Sequence, residues 1–201
     1  MIAVVDYGVG NLFSLASSLK ALGLESVVTA DRKIVEKCDR VILPGVGAFP
    51  DAMAKLESAG LKDFLVAQAA EKPFLGICLG MQMLFDRSFE YGETRGLGLV
   101  EGEIAPLAGA ARGLKIPHMG WNSLHFTKQD ELFKYNKEGD YVYFVHSFYA
   151  TGCESFLTAV TDYGVRVTAA VRSGKVFGTQ FHPEKSGAAG LKMLKAFSEV
   201  V

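Results

Sequence analysis

The chain has 201 residues, a formal net charge of −1 and a pI near 6.4, which excludes a basic surface for nucleic acid or anionic lipid. No apolar run approaches the ~18–20 residues that span a bilayer, and the first residues do not resemble a signal peptide. Three widely spaced cysteines without a CxxC pair argue against a disulfide framework or zinc site and favour a reducing cytoplasm. We therefore expect one cytoplasmic domain over residues 1–201, with no metal, cofactor, nucleic-acid partner or membrane partner.

In the first half of the chain, short β-branched runs alternate with helical patterns. "IAVVD" predicts a buried strand, and an apolar stripe closed by Gly23 predicts a helix over 12–23. "SVVTA" and "RVILPG" are typical of two further strands. A helix is predicted over 52–70, then the strand "PFLGI", then a helix over 81–85. This alternation is the βα signature of an open, largely parallel sheet.

The second half has a different pattern. Runs rich in Val, Phe, Tyr and Thr between about Leu97 and Val176 predict an added antiparallel layer, with "RSGK" as a hairpin turn. A closing helix is predicted over 187–201. The expected fold class is α/β, with an open, mixed and largely parallel sheet flanked by helices. In such sheets reactive groups gather at the carboxyl ends of the strands.

"GICLG" places Cys78 between two glycines, where a strand must turn into a helix. The pattern has the form of a nucleophile elbow with Cys in place of Ser, and glycines leave room for the sharp turn. A helix that starts here would set backbone N–H groups beside the sulfur. The alternative is that Cys78 is a small buried hydrophobe, as most free cysteines are.

"QFHPEKS" supplies a candidate base for that thiol. His182 is followed two residues later by Glu184, which could orient the imidazole in the manner of a triad. His182 could instead be a metal ligand or a surface residue, although no HxxxH or CxxC accompanies it. The other histidines, His118, His125 and His146, remain alternative bases.

Two glycine-rich loops follow strands. "LPGVGAF", residues 43–49, could bind phosphate but lacks the Lys and Ser/Thr of a P-loop. It could equally present backbone N–H groups to an oxyanion. "YGVGN", residues 7–11, allows the same phosphate interpretation.

Taken together, "PGVGAF", "GICLGMQ" and "FHPEKS" resemble the class I, or triad-type, glutamine amidotransferases, which have a flavodoxin-like fold. "DYGVGNLFSL", "IPHMGWN" and "FVHSFY" narrow the resemblance to the glutaminase subunits of imidazole glycerol phosphate synthase. The six motifs occur in order and run through nearly the whole chain. The resemblance implies that L-glutamine is hydrolysed and that its ammonia passes to a (β/α)₈-barrel cyclase subunit in a heterodimer of histidine biosynthesis.

The resemblance also implies roles for individual residues. Cys78 matches the nucleophile, His182 the general base and Glu184 its orienting carboxylate. The oxyanion donors match Val46, Gly47 and Leu79. The glutamine-binding positions match Gly47, Gln82, Glu90, His146 and Ser147. The positions facing the partner match Asn11, Trp121, Asn122 and Lys185.

Other functions stay open at this stage. An amidotransferase subunit serving another acceptor, such as a surface-sugar-modifying enzyme, would share these motifs. A free-standing cysteine hydrolase would share the elbow but has no need of Gln82 and "HSFY". A catalytically dead binding module is disfavoured by the intact triad motif. Trp121 could be a half-buried core aromatic and Lys185 a solvated surface residue.

Overall fold

The computed structural model describes residues 1–111 and 113–201, which form six α-helices and fourteen strands. The helices are α1 (Leu12–Ala21), α2 (Arg32–Lys37), α3 (Phe49–Ser58), α4 (Lys62–Glu71), α5 (Leu79–Gln82) and α6 (Gly187–Ser198). The strands of the first half are β1 (Ile2–Val5), β2 (Ser26–Thr29), β3 (Arg40–Gly45), β4 (Phe74–Cys78), β5 (Phe85–Ser88) and β6 (Thr94–Arg95). Those of the second half are β7 (Val100–Pro106), β8 (His118–Ser123), β9 (His125–Phe126), β10 (Tyr141–His146), β11 (Phe148–Thr151), β12 (Leu157–Asp162), β13 (Arg166–Ser173) and β14 (Val176–Thr179).

The main sheet has eight strands in the order β2–β1–β3–β4–β14–β13–β12–β9. Pairing is parallel from β2 to β14 and antiparallel from β14 to β9. The expected mixed, largely parallel sheet flanked by helices is therefore confirmed. Because β3, β4 and β14 are parallel neighbours, their carboxyl ends meet at one edge.

Both faces of this sheet are buried. Along β1 the side chains alternate, so that Ala3 and Val5 join one apolar cluster and Ile2 and Val4 the other. Helices α2, α3 and α4 cover the first face, and α1 and α6 cover the second. Burial of two faces explains why the central strands are continuous apolar runs.

The second half departs from the single antiparallel layer that was predicted. Strands β12, β13 and β9 extend the main sheet, whereas β10 pairs with β8 in a separate two-stranded ribbon. A further sheet has the order β11–β7–β5–β6, in which β5 and β7 are parallel. The predicted "RSGK" turn does join β13 to β14.

Two helix predictions need correction, and one helix was missed. The helix predicted over 52–70 is two helices, since the chain turns at Gly60 with φ +66°. The helix predicted over 81–85 ends at Gln82, and Phe85 begins a strand. Helix α2 was not predicted; Asp31 caps it by accepting a hydrogen bond from Lys33 N at 2.8 Å. In the part of the chain that the structure describes, no helix is both long and apolar enough to cross a membrane.

Candidate active site

Cys78 lies on a sharp turn between β4 and α5. Its φ of +55° is rare for a residue with a Cβ. A Cβ on Gly80 would overlap the Leu43 carbonyl oxygen, and one on Gly76 would come within 2.6 Å of the Gly80 oxygen. Both glycines of the predicted elbow are therefore required by close main-chain packing. Because α5 is a single turn, it aligns fewer peptide dipoles at the sulfur than a long helix would.

His182 and Glu184 follow β14, the parallel neighbour of β4. His182 Nδ1 lies 2.8 Å from Glu184 Oε1, and both side chains are 2% exposed. Burial opposes the charge on His182, but the nearby Cys78 sulfur and the hydrogen-bonded Glu184 carboxylate outweigh burial and raise its pKa to about 10. Its other nitrogen, Nε2, is buried without a full hydrogen bond to any residue that the structure describes. That nitrogen is the one that Glu184 leaves unengaged, and His182 lines the same pocket as Cys78.

Cys78 and His182 open into one pocket of about 310 Å³. Its lining residues are Val46, Gly47, Cys78, Leu79, Gln82, Glu90, Pro117, Val145, His146, Ser147, Phe148 and His182. All the predicted oxyanion and glutamine-binding residues are therefore brought together with the thiol. Larger grooves of about 700 and 560 Å³ lie elsewhere and contain none of these residues. We place the chemistry in the smaller pocket because the nucleophile and base are there.

The oxyanion loop leaves the end of β3 beside the elbow. Gly47 has φ +95° and Val46 is 40% exposed, so this loop is held by few side-chain contacts at its tip. Its base is fixed by Tyr7, whose hydroxyl donates to the Pro44 carbonyl at 2.9 Å. Burial, and then the nearby Cys78, raises the pKa of Tyr7. Sequence reasoning missed Tyr7, although it belongs to the "DYGVGN" motif.

Glu90 and Gln82 make contacts within the protein at the pocket wall. Glu90 Oε2 accepts a hydrogen bond from Phe49 N at 2.8 Å, which joins the segment after β5 to the start of α3. Gln82 Nε2 donates to Phe148 O and to Gln180 Oε1, both at 3.0 Å. Their roles in glutamine binding stay predictions, because part of each polar group is already engaged. Gln180 was missed, although it stands two residues before His182 in the quoted motif.

The remaining histidines differ from His182. His146 lines the pocket, but its nitrogens contact Phe148 O at 2.8 Å and His118 Nδ1 at 2.9 Å. Burial, with smaller contributions from the charges of His118 and His182, lowers the pKa of His146 to about 3, although its hydrogen bond to Phe148 opposes this. His125, on the half-buried strand β9, pairs with Glu138 and does not line the pocket. Geometry therefore favours His182 as the base.

The predicted partner-facing residues are only partly grouped. Trp121 is 52% exposed and packs edge-on to Tyr143, while the Lys185 ammonium lies 5.9 Å from the centre of the same ring. Tyr143 O accepts a hydrogen bond from His182 N at 3.0 Å, so this exposed aromatic patch adjoins the catalytic turn. Asn122 points its amide inward, to His118 and to the Asp162 carbonyl.

Asn11 precedes α1, which packs against the turn at 183–185. The contacts of Asn11, Trp121, Asn122 and Lys185 with a partner stay predictions. The free thiols Cys38 and Cys153 are both buried, and burial raises the pKa of each. Among residues 1–111 and 113–201, no three His, Cys, Asp or Glu side chains are grouped to hold a metal ion.

Residues 3–200 match the family model of class I glutamine amidotransferases. The chain belongs to the class I glutamine amidotransferases. The family expectation from the motifs is thus confirmed, and the activity class is that of a glutaminase.

Curated members of this family match the chain over its whole length. A protein of Caldanaerobacter subterraneus subsp. tengcongensis named "Imidazole glycerol phosphate synthase subunit HisH" is 49% identical over 100% of this chain and 98% of its own length. Proteins of the same name match from Lacticaseibacillus casei (51% identical, 100% and 96% covered) and Methanothermobacter thermautotrophicus (47%, 100% and 99%).

Solved amidotransferase structures share the fold at lower identity. A crystal structure described as a glutamine amidotransferase has a TM-score of 0.75 at 19% identity, covering 98% of this chain and all of that chain. The PurLQS structure from Thermotoga maritima has a TM-score of 0.73 at 23% identity, covering 98% and 96%. These likenesses support the amidotransferase fold alone.

Proposed function

We propose that this chain is the glutaminase subunit of an imidazole glycerol phosphate synthase in histidine biosynthesis. The observation that carries the proposal is the full-length identity of about 50% to relatives of that name. The pocket supports it, since it combines a strained cysteine, an imidazole held by a carboxylate and a glycine-rich loop. The whole of residues 1–201 acts in this proposal as one amidotransferase domain.

The chemistry divides into acylation and hydrolysis. His182 takes the Cys78 proton, the sulfur attacks the side-chain carbonyl of glutamine, and the oxyanion meets N–H groups of Val46, Gly47 and Leu79. His182 then returns the proton to the leaving nitrogen, so that ammonia departs and a γ-glutamyl thioester remains. Water, deprotonated by His182, hydrolyses the thioester to glutamate and regenerates the thiol. The sum is glutamine plus water giving glutamate plus ammonia.

The pocket can hold the zwitterionic end of glutamine through opposite charge and backbone groups. Glu90 contributes a carboxylate to the pocket lining, and we infer that it receives the α-ammonium group. His146 and Ser147 lie where β10 connects to β11, and we infer that their backbone groups bind the α-carboxylate. Gln82 and Gly47 complete the contact surface around the side-chain amide.

Ammonia must reach its acceptor before water protonates it, since ammonium is not a nucleophile. We infer that a (β/α)₈-barrel cyclase subunit docks over the exposed patch of Trp121, Tyr143 and Lys185 and receives the ammonia directly. An exposed Trp beside a Tyr and a cation is the kind of surface that dominates protein interfaces. Three free cysteines suit the reducing cytoplasm, where we place the heterodimer.

The test reconstitutes the complex with a barrel cyclase and measures product from two nitrogen sources. With the wild-type chain, both glutamine and ammonium salt at high pH should yield imidazole glycerol phosphate. With Cys78→Ala, glutamine should fail and ammonium should still work, because the cyclase is intact. A Cys38→Ala chain is the matched control and should use both. Product formation from glutamine by the Cys78→Ala complex would contradict the proposal.

A further inference from the structure

A run of buried hydrogen bonds leads away from the Cys78 sulfur. Gln180 Nε2 donates toward Cys78 Sγ at 3.8 Å, and Gln180 Oε1 accepts from Gln82 Nε2 at 3.0 Å. Gln82 Nε2 donates its second hydrogen to Phe148 O, also at 3.0 Å. The amide of Gln180 is therefore oriented by Gln82, with its oxygen toward Gln82 and its N–H toward the sulfur.

The run continues from Phe148 to strand β8. His146 Nδ1 donates to the same Phe148 carbonyl at 2.8 Å, and its Nε2 lies 2.9 Å from His118 Nδ1. His118 Nε2 lies 3.0 Å from Asn122 Oδ1. Asn122 is the neighbour of Trp121, so the chain of contacts spans from the nucleophile to the strand that carries the exposed aromatic patch.

These side chains have little freedom to rearrange. Gln82, Gln180, His118 and His146 are all buried. The His118 ring is stacked between Phe144 and Tyr163, with centroid distances of 4.8 and 3.9 Å. A buried polar group that loses its partner is costly, so each link restrains the next.

The contact at Asn122 differs from the others in this series because it lacks a hydrogen-bonding proton. Three contacts join Phe148 O to His146, His146 to His118, and His118 to Asn122 Oδ1. Each contact needs one N–H proton to be a hydrogen bond, but two neutral imidazoles carry only two such protons. Burial lowers the pKa of both His118 and His146, which keeps the pair neutral. With His146 Nδ1 donating to Phe148 and His118 Nδ1 to His146, the proton missing from the run is the one at Asn122.

We propose that Gln180 and His118 are positioning residues of glutamine hydrolysis: they belong to a series of hydrogen bonds from His118 to Cys78 that orients and stabilises the anionic sulfur. An N–H donor stabilises a charged acceptor more than a neutral one, which is the physical basis of the effect. The link to the partner-facing strand rests on the proposed function, but the effect on the sulfur does not. It can therefore be tested in the isolated chain, without glutamine or a cyclase.

The test at the sulfur end is the pH profile of Cys78 alkylation by iodoacetamide, followed by peptide mass spectrometry. Gln180→Leu removes the N–H donor, and Gln180→Glu keeps the oxygen that accepts from Gln82 but also lacks the donor. The Gln180→Leu profile should shift to higher pH by about one unit, the size expected for one lost hydrogen bond to a charged group. The Gln180→Glu profile should shift further in the same direction because the substitution also adds negative charge. The other titratable groups around the sulfur, Tyr7, Glu90, His146, His182 and Glu184, are unchanged in both variants. A wild-type profile in a folded Gln180 variant would overturn the proposal.

The test at His118, within the hydrogen-bonded series, uses two substitutions in one aromatic stack. His118→Phe keeps a ring between Phe144 and Tyr163 but breaks both links, whereas Tyr163→Phe keeps the links and removes a hydroxyl that donates to Lys115 O at 2.7 Å. His118→Phe should shift the alkylation profile in the same direction as the Gln180 variants, by less, and Tyr163→Phe should leave it in place. Equal profiles for the two folded variants would overturn the role of His118. If the cyclase assay of the proposed function failed, these alkylation results would still decide whether the hydrogen-bonded series stabilises the Cys78 sulfur.

Discussion

Cys78, the proposed nucleophile, has an unfavourable backbone conformation, with φ +55° and ψ −111°. Such a conformation costs ~1–3 kcal/mol in a residue with a Cβ, and it persists because the packing of Gly76 and Gly80 against neighbouring main chain leaves no alternative. The turn has therefore been kept for the position of the sulfur rather than for stability.

Relief of that strain is measurable. Cys78→Gly and Cys78→Ala both remove the thiol, but only glycine tolerates a positive φ without cost. We expect the Cys78→Gly chain to be more stable than the Cys78→Ala chain by about 1 kcal/mol, and both to lack glutaminase activity. Urea unfolding of the two variants gives the comparison. A less stable glycine variant would contradict the strain assigned to this residue.

His182 and Glu184 should differ in how much they matter. His182→Asn removes both proton transfers and should lower the rate of glutamate release nearly as far as loss of the thiol, each transfer being worth ~10²–10⁴. Glu184→Gln leaves nucleophile and base in place and should cost less. The measurement is kcat for glutamine in the reconstituted complex. Equal losses at every pH would contradict the division of roles.

The contribution of the His182–Glu184 pair to the free energy of unfolding should depend on pH. The pKa of His182 is raised from 6.5 to about 10, so its favourable contacts contribute fully below about pH 6.5 and are lost as pH rises toward 10. The wild type should therefore exceed Glu184→Gln in free energy of unfolding most at pH 6.5, with a difference that shrinks toward pH 10. Denaturant titrations across that range test the sign. A difference that grew with pH would contradict it.

At the scale of elements, the carboxyl edge of the main sheet brings three loops together. The loops after β3, β4 and β14 supply the proposed oxyanion donors, the thiol and the imidazole in turn, because those strands are adjacent and parallel. In the loop after β3, Gly47 has a positive φ and the neighbouring Val46 is half-exposed.

Two glycine substitutions, one in the loop after β3 and one between α3 and α4, separate the effect of backbone strain on stability from the effect on activity. A Cβ on Gly47 or on Gly60 would meet no atom within 4 Å, and both residues have positive φ, so each alanine variant should lose about 1 kcal/mol of stability. Gly47→Ala should also lower the glutaminase rate ~10²–10³-fold, the usual cost of one oxyanion donor. Gly60→Ala, between α3 and α4, should keep its activity. Thermal unfolding and glutamate release measure the two effects, and equal activities would place the oxyanion donors elsewhere.

Local signals predicted the central elements well and failed where contacts from elsewhere decide. The elbow and the His182–Glu184 turn were predictable because the glycines and the two-residue spacing are local. Phe85 continues an apolar run and was assigned to a helix, but Gly96 and Leu97 donate hydrogen bonds to that segment, and β5 lies between β7 and β6 in another sheet. The break at Gly60 was missed because apolar residues continue on both sides of it.

At the scale of the whole molecule, the site depends on registers that no short motif contains. His118 meets His146 because β8 and β10 pair in antiparallel register, and Gln180 meets Gln82 across 98 positions of the chain. The quoted motifs contain residues on both sides of these pairs, although Gln180 itself was not singled out. Their contacts follow only from the way the ribbon, the main sheet and α5 pack together.

A solitary active glutaminase would release ammonia into water, where protonation ends its use as a nucleophile. We therefore expect the chain to be slow on its own and to be activated when a partner carrying its acceptor docks beside the catalytic turn. Glycine freedom in the oxyanion loop lets one peptide rotate, which suffices to switch the site off.

The most direct measurement is glutamate release from glutamine by the isolated chain, by its complex with the cyclase, and by the complex with bound acceptor. We expect the rate to rise from the first state to the third, with Cys78→Ala inactive in all three. Equal rates in all three states would contradict it.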